Sequence, residues 1–216
     1  MAAWNAPRPF GSFWRAAALG LAALAMLAAP AHAAGRTVLV VGDSLSAEYG
    51  LARGSGWVRL LAERIATSAP EYSVVNASIS GDTTSGGRAR LAPLLLQAPA
   101  VVVIELGAND GLRGLSVDAM RQNLLAMVRD CRHAGAKVLL VGIRMPPNYG
   151  PDYAERFYAV YTDLARSEHV ALAPFLLDGF AERLEMFQPD HIHPLASAQG
   201  RMLDNVWPHL RPLLRP

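Results

Sequence analysis

Short apolar runs alternate with longer amphipathic stretches along most of this 216-residue chain. The short runs are rich in β-branched residues, which is typical of strands that are buried on both faces of a sheet. The predicted strands are 37–41, 73–75, 101–106, 137–142 and 170–173. Between them, apolar residues recur every three or four positions, which predicts amphipathic helices. The predicted helices are 57–67, 88–97, 117–133, 153–167 and 197–213.

The order of these elements predicts an α/β fold. Strands separated by helices pair in parallel, because a parallel return needs a crossover that is long enough to hold a helix. We therefore expect a three-layer α/β/α sandwich around a five-stranded parallel sheet. No internal repeat, low-complexity tract or linker interrupts the pattern after residue 34, so residues 34–216 are predicted to form one domain.

The first 33 residues are predicted to be a cleavable signal peptide. Arg8 and Arg15 form a basic region, residues 16–29 are uncharged and apolar, and Ala31-His32-Ala33 matches a cleavage site. The apolar run is shorter than the roughly 20 residues that a membrane-spanning helix needs, which favours cleavage over the alternative of an uncleaved anchor. We therefore expect a periplasmic or secreted protein with no stable membrane anchor after cleavage.

Removal of the signal peptide changes the charge balance. The chain has 20 basic and 18 acidic residues, and the segment holds two of the basic and none of the acidic ones. The rest is therefore formally neutral and has no basic stripe with interleaved aromatic residues, so nucleic acid is not an expected partner. The single cysteine, Cys131, lies within a predicted helix and is predicted to be a buried structural thiol rather than a nucleophile.

Three predicted strands end in polar loops that contain glycine. Ser44 follows the first strand, Gly81 lies in the loop after the second, and Asn109 lies in the loop after the third. Because the carboxyl ends of parallel strands share one edge, these loops are expected to line one crevice. Near the C-terminus, Asp190 and His193 are three residues apart, close enough for the carboxylate to orient the imidazole.

These residue types suit acyl transfer. Ser44 is the predicted nucleophile, His193 the base and Asp190 the acid that orients the base. The Ser44 N–H, the Gly81 N–H and the Asn109 side-chain amide are the predicted oxyanion-hole donors. Alternatives stay open: Ser44, Gly81 and Asn109 are also common turn residues, and His191 with His193 and Asp190 is a weak metal-site candidate. The other candidates for the orienting acid are Asp43, Asp82 and Asp110.

Together, the sequence motifs that contain these residues resemble those of the SGNH (GDSL) hydrolase family. The matching residues are Gly42-Asp43-Ser44-Leu45-Ser46, Gly81, Asn109 and Asp190-x-x-His193. The segments 75–83 and 105–114 are similar to the corresponding segments of the thioesterase, lysophospholipase and arylesterase members of that family. The sequence departs from the family in two places, with Ala108 where a second glycine is usual and His191 where glycine or a small residue is usual.

The resemblance implies a flavodoxin-like sheet and a serine hydrolase of small-molecule acyl esters, thioesters and lysophospholipids. It implies no metal ion and no organic cofactor. Residues 111–116 match a loop beside the acyl chain in such enzymes, so Gly111 and Leu112 are predicted substrate-binding residues. Met145 and Pro146 join them from the apolar loop after the fourth strand, although apolar loop residues are equally often local core. The rival readings are a deacetylase or carbohydrate esterase and a non-catalytic acyl-binding module.

Overall fold

The computed structural model describes residues 1–3 and 36–215. The predicted signal peptide therefore lies outside the described residues, except for its first three. The predicted cleavage site and the domain boundary at residue 34 also lie outside them.

A parallel sheet forms the centre of the described chain. Its strands are β1 (Arg36–Gly42), β2 (Tyr72–Asn76), β3 (Val101–Glu105), β4 (Lys137–Val141) and β5 (Ala171–Ala173). Within residues 36–215 these five strands follow the order β2-β1-β3-β4-β5, and every neighbouring pair is parallel. From β1 the chain adds β2 on one side of the sheet, whereas β3, β4 and β5 are added in turn on the other side. The carboxyl ends of β1 and β3, where this direction reverses, are where such sheets place their sites.

Helices cover both faces of the sheet. They are α1 (Trp57–Ser68), α2 (Thr84–Ala89), α3 (Leu91–Leu95), α4 (Ala108–Leu112), α5 (Val117–His133), α6 (Pro151–Ser167) and α7 (Gln199–Leu210). Helix α1 packs against α7, whereas α5 packs against α2 and α6. Because crossovers in opposite directions are both right-handed, they place these two groups on opposite faces. The predicted α/β/α sandwich is confirmed.

The core follows the apolar periodicity of the sequence. All five residues of β3 are buried, and so are the last five of β1. The amphipathic helices bury their apolar faces against this sheet, with Trp57, Phe157 and Tyr161 among the largest fully buried side chains. A continuous core of this kind fixes the strands and holds the loops at their carboxyl ends in place.

Three predicted segments differ from the structure. The predicted helix 88–97 is two short helices, α2 and α3, which meet at Arg90 with φ −102° and ψ 2°. Helix α2 begins earlier than expected, because the Thr83 hydroxyl caps it by accepting from the Gly86 N–H. The segment 107–114, expected to be a loop, contains α4. The predicted helix 197–213 is α7 flanked by 3₁₀ turns at Ala196–Ala198 and Arg211–Leu214.

Candidate active site

Ser44 lies in a tight turn that begins where β1 ends. The Asp43 carbonyl accepts from the N–H groups of Ser46 and Ala47, at 3.2 and 2.9 Å. The Asp43 carboxylate accepts from the Leu45 N–H at 3.0 Å, which closes the turn from its buried side. Ser44 itself stays partly exposed. The turn therefore presents the Ser44 hydroxyl at the sheet edge on a backbone with several internal hydrogen bonds.

Ser44, His193 and Asp190 form a hydrogen-bonded relay. His193 Nε2 lies 2.8 Å from Ser44 Oγ, and His193 Nδ1 lies 2.7 Å from Asp190 Oδ2. The other Asp190 oxygen accepts from the backbone N–H groups of Ile192 and His193, each at 3.0 Å. The structure therefore brings together, from opposite ends of the chain, the three residues that the sequence predicted to act together.

The charge of Asp190 fixes how this relay can work. Partial burial opposes ionisation, but the hydrogen bonds from His193 and Ile192 outweigh it and lower the pKa of Asp190 to about 2. Asp190 is therefore ionised at neutral pH and accepts a hydrogen bond from Nδ1–H. Nε2 is then left as the acceptor for the Ser44 hydroxyl, which is the tautomer that a general base needs.

The other candidate acids have different partners. Asp82 pairs with Arg90 at 2.8 Å, and Asp110 accepts from the N–H and hydroxyl of Thr84, at 2.8 and 2.6 Å. Asp43 accepts from Leu45 and from the Asn109 amide. Of the acids that the sequence offered, Asp190 is the one in contact with His193.

Gly81 follows β2 in the segment that runs beside the Ser44 turn. The Ile79 N–H donates to the Gly42 carbonyl at 3.0 Å, which extends the pairing of β2 with β1 beyond the strands. Gly81 has φ +79°, a left-handed conformation that strains other residues. Among the described residues, a Cβ atom there would approach only Arg113 Nη2, at 3.5 Å. Glycine is therefore required by the backbone conformation rather than by crowding from the protein.

Asn109 lies in the first turn of α4 and connects the other two loops. Its Nδ2 donates to the Asp82 carbonyl at 2.9 Å and to Asp43 Oδ2 at 3.1 Å. Arg113 Nη2 donates to the Gly81 carbonyl at 2.8 Å and reaches Asn109 Oδ1 at 3.5 Å. Both amide protons of Asn109 thus have partners in the protein, and an oxyanion would have to share or displace one of them.

A buried carboxyl that sequence reasoning missed lies beneath the Ser44 turn. Glu105 ends β3 and is fully buried; its Oε2 accepts from the Ser46 hydroxyl at 2.7 Å and from the Asp43 N–H at 3.4 Å. Burial, and then the charge of Asp43, raises the pKa of Glu105 well above its usual range. Burial likewise raises the pKa of Asp43 to about 7. A lone acidic residue within the apolar run 101–106 was the available signal.

Two of the predicted substrate-binding residues, Gly111 and Leu112, end α4, and the other two, Met145 and Pro146, lie in the loop after β4. Gly111 and Met145 are buried, and a Cβ atom at Gly111 would collide with Met145 Sδ. Leu112 is half-buried and Pro146 is exposed. The Tyr153 hydroxyl donates to the Gly111 carbonyl at 3.3 Å, which braces the end of α4. Leu112 and Pro146 are therefore the two of the four that face solvent to some degree.

The two departures from the family pattern have conformational explanations. The left-handed residue before α4 is Gly107, with φ +123°, whereas Ala108 is the first residue of the helix and alanine suits it. His191, in contrast, has φ +56°. The family's usual glycine at that position thus corresponds to a left-handed backbone, which His191 adopts at some cost.

Other observations bear on the remaining predictions. Cys131 is buried as predicted, and burial followed by the charge of Asp130 raises the pKa of its thiol to about 12, which disfavours the reactive thiolate. Within residues 1–3 and 36–215, no cluster of three or more His, Cys, Asp or Glu side chains could hold a metal ion. No helix in that part of the chain is long and apolar enough to span a bilayer.

Comparison with known proteins agrees with this geometry. The sequence profile of the GDSL-like lipase/acylhydrolase family matches residues 40–201. Esterase TesA of Pseudomonas aeruginosa is 54% identical over 192 residues, which cover 88% of this chain and 96% of TesA. Thioesterase 1/protease 1/lysophospholipase L1 of Escherichia coli is 43% identical over 183 residues, 84% of this chain and 86% of that protein.

A solved structure gives the same result for the fold. The crystal structure of the psychrotrophic esterase EstA from Pseudoalteromonas sp., inhibited by monoethylphosphonate, is 39% identical to this chain with a TM-score of 0.78. It covers 83% of this chain and 98% of EstA. The chain therefore belongs to the GDSL-like lipase/acylhydrolase family of ester-hydrolysing serine enzymes.

Proposed function

We propose that this chain is an exported serine hydrolase that cleaves carboxylic esters and acyl thioesters through an acyl-enzyme on Ser44. The single observation that carries this proposal is the continuous relay from Ser44 Oγ through His193 to Asp190, with distances of 2.8 and 2.7 Å. Hydrogen bonds of this length and order are what a nucleophile, its base and an orienting acid need.

The proposed reaction has two halves. His193 Nε2 takes the Ser44 proton as Oγ attacks the acyl carbonyl, and the resulting imidazolium is stabilised by ionised Asp190. The same imidazolium then protonates the leaving alcohol or thiol, so the acyl group remains on Ser44. In the second half His193 activates water, which attacks the acyl-enzyme and releases the acid.

The oxyanion of each tetrahedral intermediate needs fixed donors. We assign this role to the N–H groups of Ser44 and Gly81 and to Asn109 Nδ2. The hydrogen bonds from Asn109 to Asp43 and to the Asp82 carbonyl hold the amide between the two loops that carry the other donors, and the oxyanion would share or displace one of these bonds. A donor of this kind is worth on the order of 3 kcal/mol in the transition state.

The names of the relatives and the residues at the end of α4 support a proposal for the substrate class. One relative is named a thioesterase and lysophospholipase, and another an esterase. We propose that this chain likewise takes small acyl esters, thioesters and lysophospholipids, with Gly111, Leu112, Met145 and Pro146 beside the acyl chain. We also propose that the predicted signal peptide sends the enzyme to the periplasm or out of the cell.

The test is hydrolysis of para-nitrophenyl esters from acetyl to palmitoyl by the mature protein and by Ser44→Ala. We expect a maximum at one acyl length and a loss of more than about a thousandfold in kcat for Ser44→Ala. Ser55→Ala is the control, because Ser55 is half-buried outside the relay and its hydroxyl donates to the Ala52 carbonyl at 2.7 Å. A fluorophosphonate should add to the wild type and to Ser55→Ala, but not to Ser44→Ala.

Two outcomes contradict parts of the proposal. Equal inactivity of wild type and Ser44→Ala on every ester, without fluorophosphonate labelling, would leave the acyl-binding module as the better reading. Faster hydrolysis of acetylated sugars than of every acyl ester would retain the nucleophile and replace the proposed substrate class by carbohydrate esters.

A further inference from the structure

The hydrogen bonds to Ser44 and Asp190 restrain the tilt of the His193 ring plane only weakly. His193 is held at both ring nitrogens, by Asp190 at 2.7 Å and by Ser44 at 2.8 Å. Two hydrogen bonds fix the positions of Nδ1 and Nε2, but they resist tilting of the ring plane about the line between these two atoms only weakly. The side chain of His193 is nevertheless only 16% exposed. Contacts to the ring face and to the backbone of its loop must therefore supply the remaining restraint.

Tyr49 supplies the contact to the ring face. Its ring centroid lies 4.3 Å from that of His193, with the two planes tilted by 37°. Tyr49 itself is 50% exposed, so it covers the imidazole while its own outer surface meets water. A cation within about 6 Å of an aromatic centroid is stabilised by the ring. The contact therefore favours the imidazolium that forms when Ser44 attacks.

Gln188 ties the loop of Tyr49 to the loop of His193. Its side-chain Nε2 donates to the Tyr49 carbonyl at 2.8 Å. Its backbone N–H donates to the His193 carbonyl at 2.8 Å, and its own carbonyl accepts from the His191 N–H at 2.9 Å. One residue thus bonds both to the nucleophile's loop and to the two ends of the turn that carries the base.

Gly50 makes room for this bridge. It has φ +69°, and a Cβ atom there would collide with Gln188 Oε1. Any other residue at position 50 would therefore push the Gln188 amide away from the Tyr49 carbonyl. The bridge thus depends on the local sequence Tyr49-Gly50 as well as on Gln188.

We propose that Tyr49 and Gln188 are positioning residues that hold the His193 imidazole in register with Ser44. The proposal rests on the proposed esterase function, since it assigns these residues a role in the same reaction. Tyr49 fixes the plane of the ring and stabilises its charged form, and Gln188 fixes the spacing between the two loops. Neither residue needs to touch the substrate, so their loss lowers kcat and leaves KM nearly unchanged.

Tyr49 is tested with Tyr49→Leu and Tyr49→Phe. Leucine removes the aromatic face, and we expect kcat on a para-nitrophenyl ester to fall about tenfold, with KM within about twofold. Phenylalanine keeps the aromatic ring, and kcat of Tyr49→Phe should stay within about threefold of the wild type. The rate of Ser44 labelling by a fluorophosphonate should follow the same order, because labelling uses the same base.

Gln188 is tested through Gly50→Ala, with Gly54→Ala as the matched control. Both glycines have positive φ, +69° and +84°, so alanine strains the backbone at either position. A Cβ atom at position 54 meets no atom of residues 36–215 within 4 Å, whereas one at position 50 displaces Gln188. We expect Gly50→Ala to lose at least as much thermal stability as Gly54→Ala, and only Gly50→Ala to lose kcat, by about tenfold. Gln188→Leu should reproduce that kcat loss without the backbone strain.

The outcomes separate this inference from the proposed function. Wild-type activity that Ser44→Ala lacks supports the esterase, whatever the Tyr49 and Gln188 variants do. If Tyr49→Leu and Gln188→Leu keep wild-type kcat, the positioning role is overturned. It is also overturned if Gly54→Ala loses as much kcat as Gly50→Ala, or if every loss appears in KM.

Discussion

His191 shows how a single residue can retain a backbone shape that suits another residue better. Its φ of +56° lies in the left-handed region, and its side chain is exposed. A residue with a Cβ atom is destabilised by roughly 1–2 kcal/mol in that region, whereas glycine is destabilised little. Part of this difference is offset, because glycine also gives the unfolded chain more freedom.

We therefore expect His191→Gly to raise the free energy of unfolding by about 0.5–1 kcal/mol. His191→Ala is the control, since it removes the imidazole but keeps a Cβ atom, and it should not stabilise the protein. Urea denaturation followed by circular dichroism measures both variants. A glycine variant that is less stable than the wild type would show that the His191 side chain contributes more than its strain costs.

At the scale of elements, the short helix α4 depends on tertiary contacts. It has five residues, and Asn, Asp and Gly are poor helix formers, so its sequence alone does not predict it. The Asp110 carboxylate in α4 accepts from both the N–H and the hydroxyl of Thr84 at the start of α2. The Thr84 hydroxyl in turn accepts from Asn123 of α5 at 3.2 Å. Three helices are thus joined next to Asn109.

We expect Asp110→Ala to lower the free energy of unfolding by about 2 kcal/mol, because it leaves the buried Thr84 N–H without its partner. Its kcat should also fall, since α4 carries Asn109. Thr84→Val removes the hydroxyl and leaves that N–H paired, so its loss should be smaller. Chemical denaturation and ester hydrolysis of both variants test this order. If Asp110→Ala and Thr84→Val lose equal stability, the hydrogen bond from the Thr84 hydroxyl, rather than the one from its N–H, is the stabilising contact.

The same scale shows what the sequence could and could not predict. The strands and long helices follow from apolar periodicity, and Ser44, Gly81 and Asn109 follow from their places after β1, β2 and β3. The break between α2 and α3 has a local cause, because Pro93 has no N–H to donate to the Ala89 carbonyl of a continuous helix. The existence of α4 depends on contacts between distant segments, which periodicity does not record. Gln188 and Tyr49 escape prediction for the same reason, since they are 139 residues apart in the chain.

At the scale of the whole molecule, the strand order places a carboxyl group in the core. Because β1 pairs with β3, Gly42 lies opposite Glu105, and a Cβ atom at Gly42 would approach Glu105 Oε2 at 2.7 Å. The carboxyl is fully buried and has no basic partner among the residues that the structure describes; its Oε2 accepts from Ser46 and Asp43. Burying its charged form is costly, so the folded protein favours the protonated form.

This arrangement makes the stability of the molecule depend on pH with a definite sign. A carboxyl whose pKa is higher in the folded than in the unfolded protein binds a proton on folding, so stability falls as pH rises above its usual pKa of 4.5. Glu105→Gln keeps the shape of the side chain and cannot ionise. The difference in free energy of unfolding, Glu105→Gln minus wild type, is therefore expected to be larger at pH 8 than at pH 5 by more than about 1 kcal/mol.

Ser46→Ala provides the comparison for that measurement. It removes the 2.7 Å hydrogen bond to Glu105 but leaves the carboxyl free to ionise, so its stability should decline with pH at least as steeply as the wild type. Urea denaturation of the three proteins at several pH values gives the required curves. Parallel curves for wild type and Glu105→Gln would mean that Glu105 ionises equally in the folded and unfolded chain. Curves that diverge only for Glu105→Gln assign the pH dependence to the buried charge rather than to the hydrogen bond.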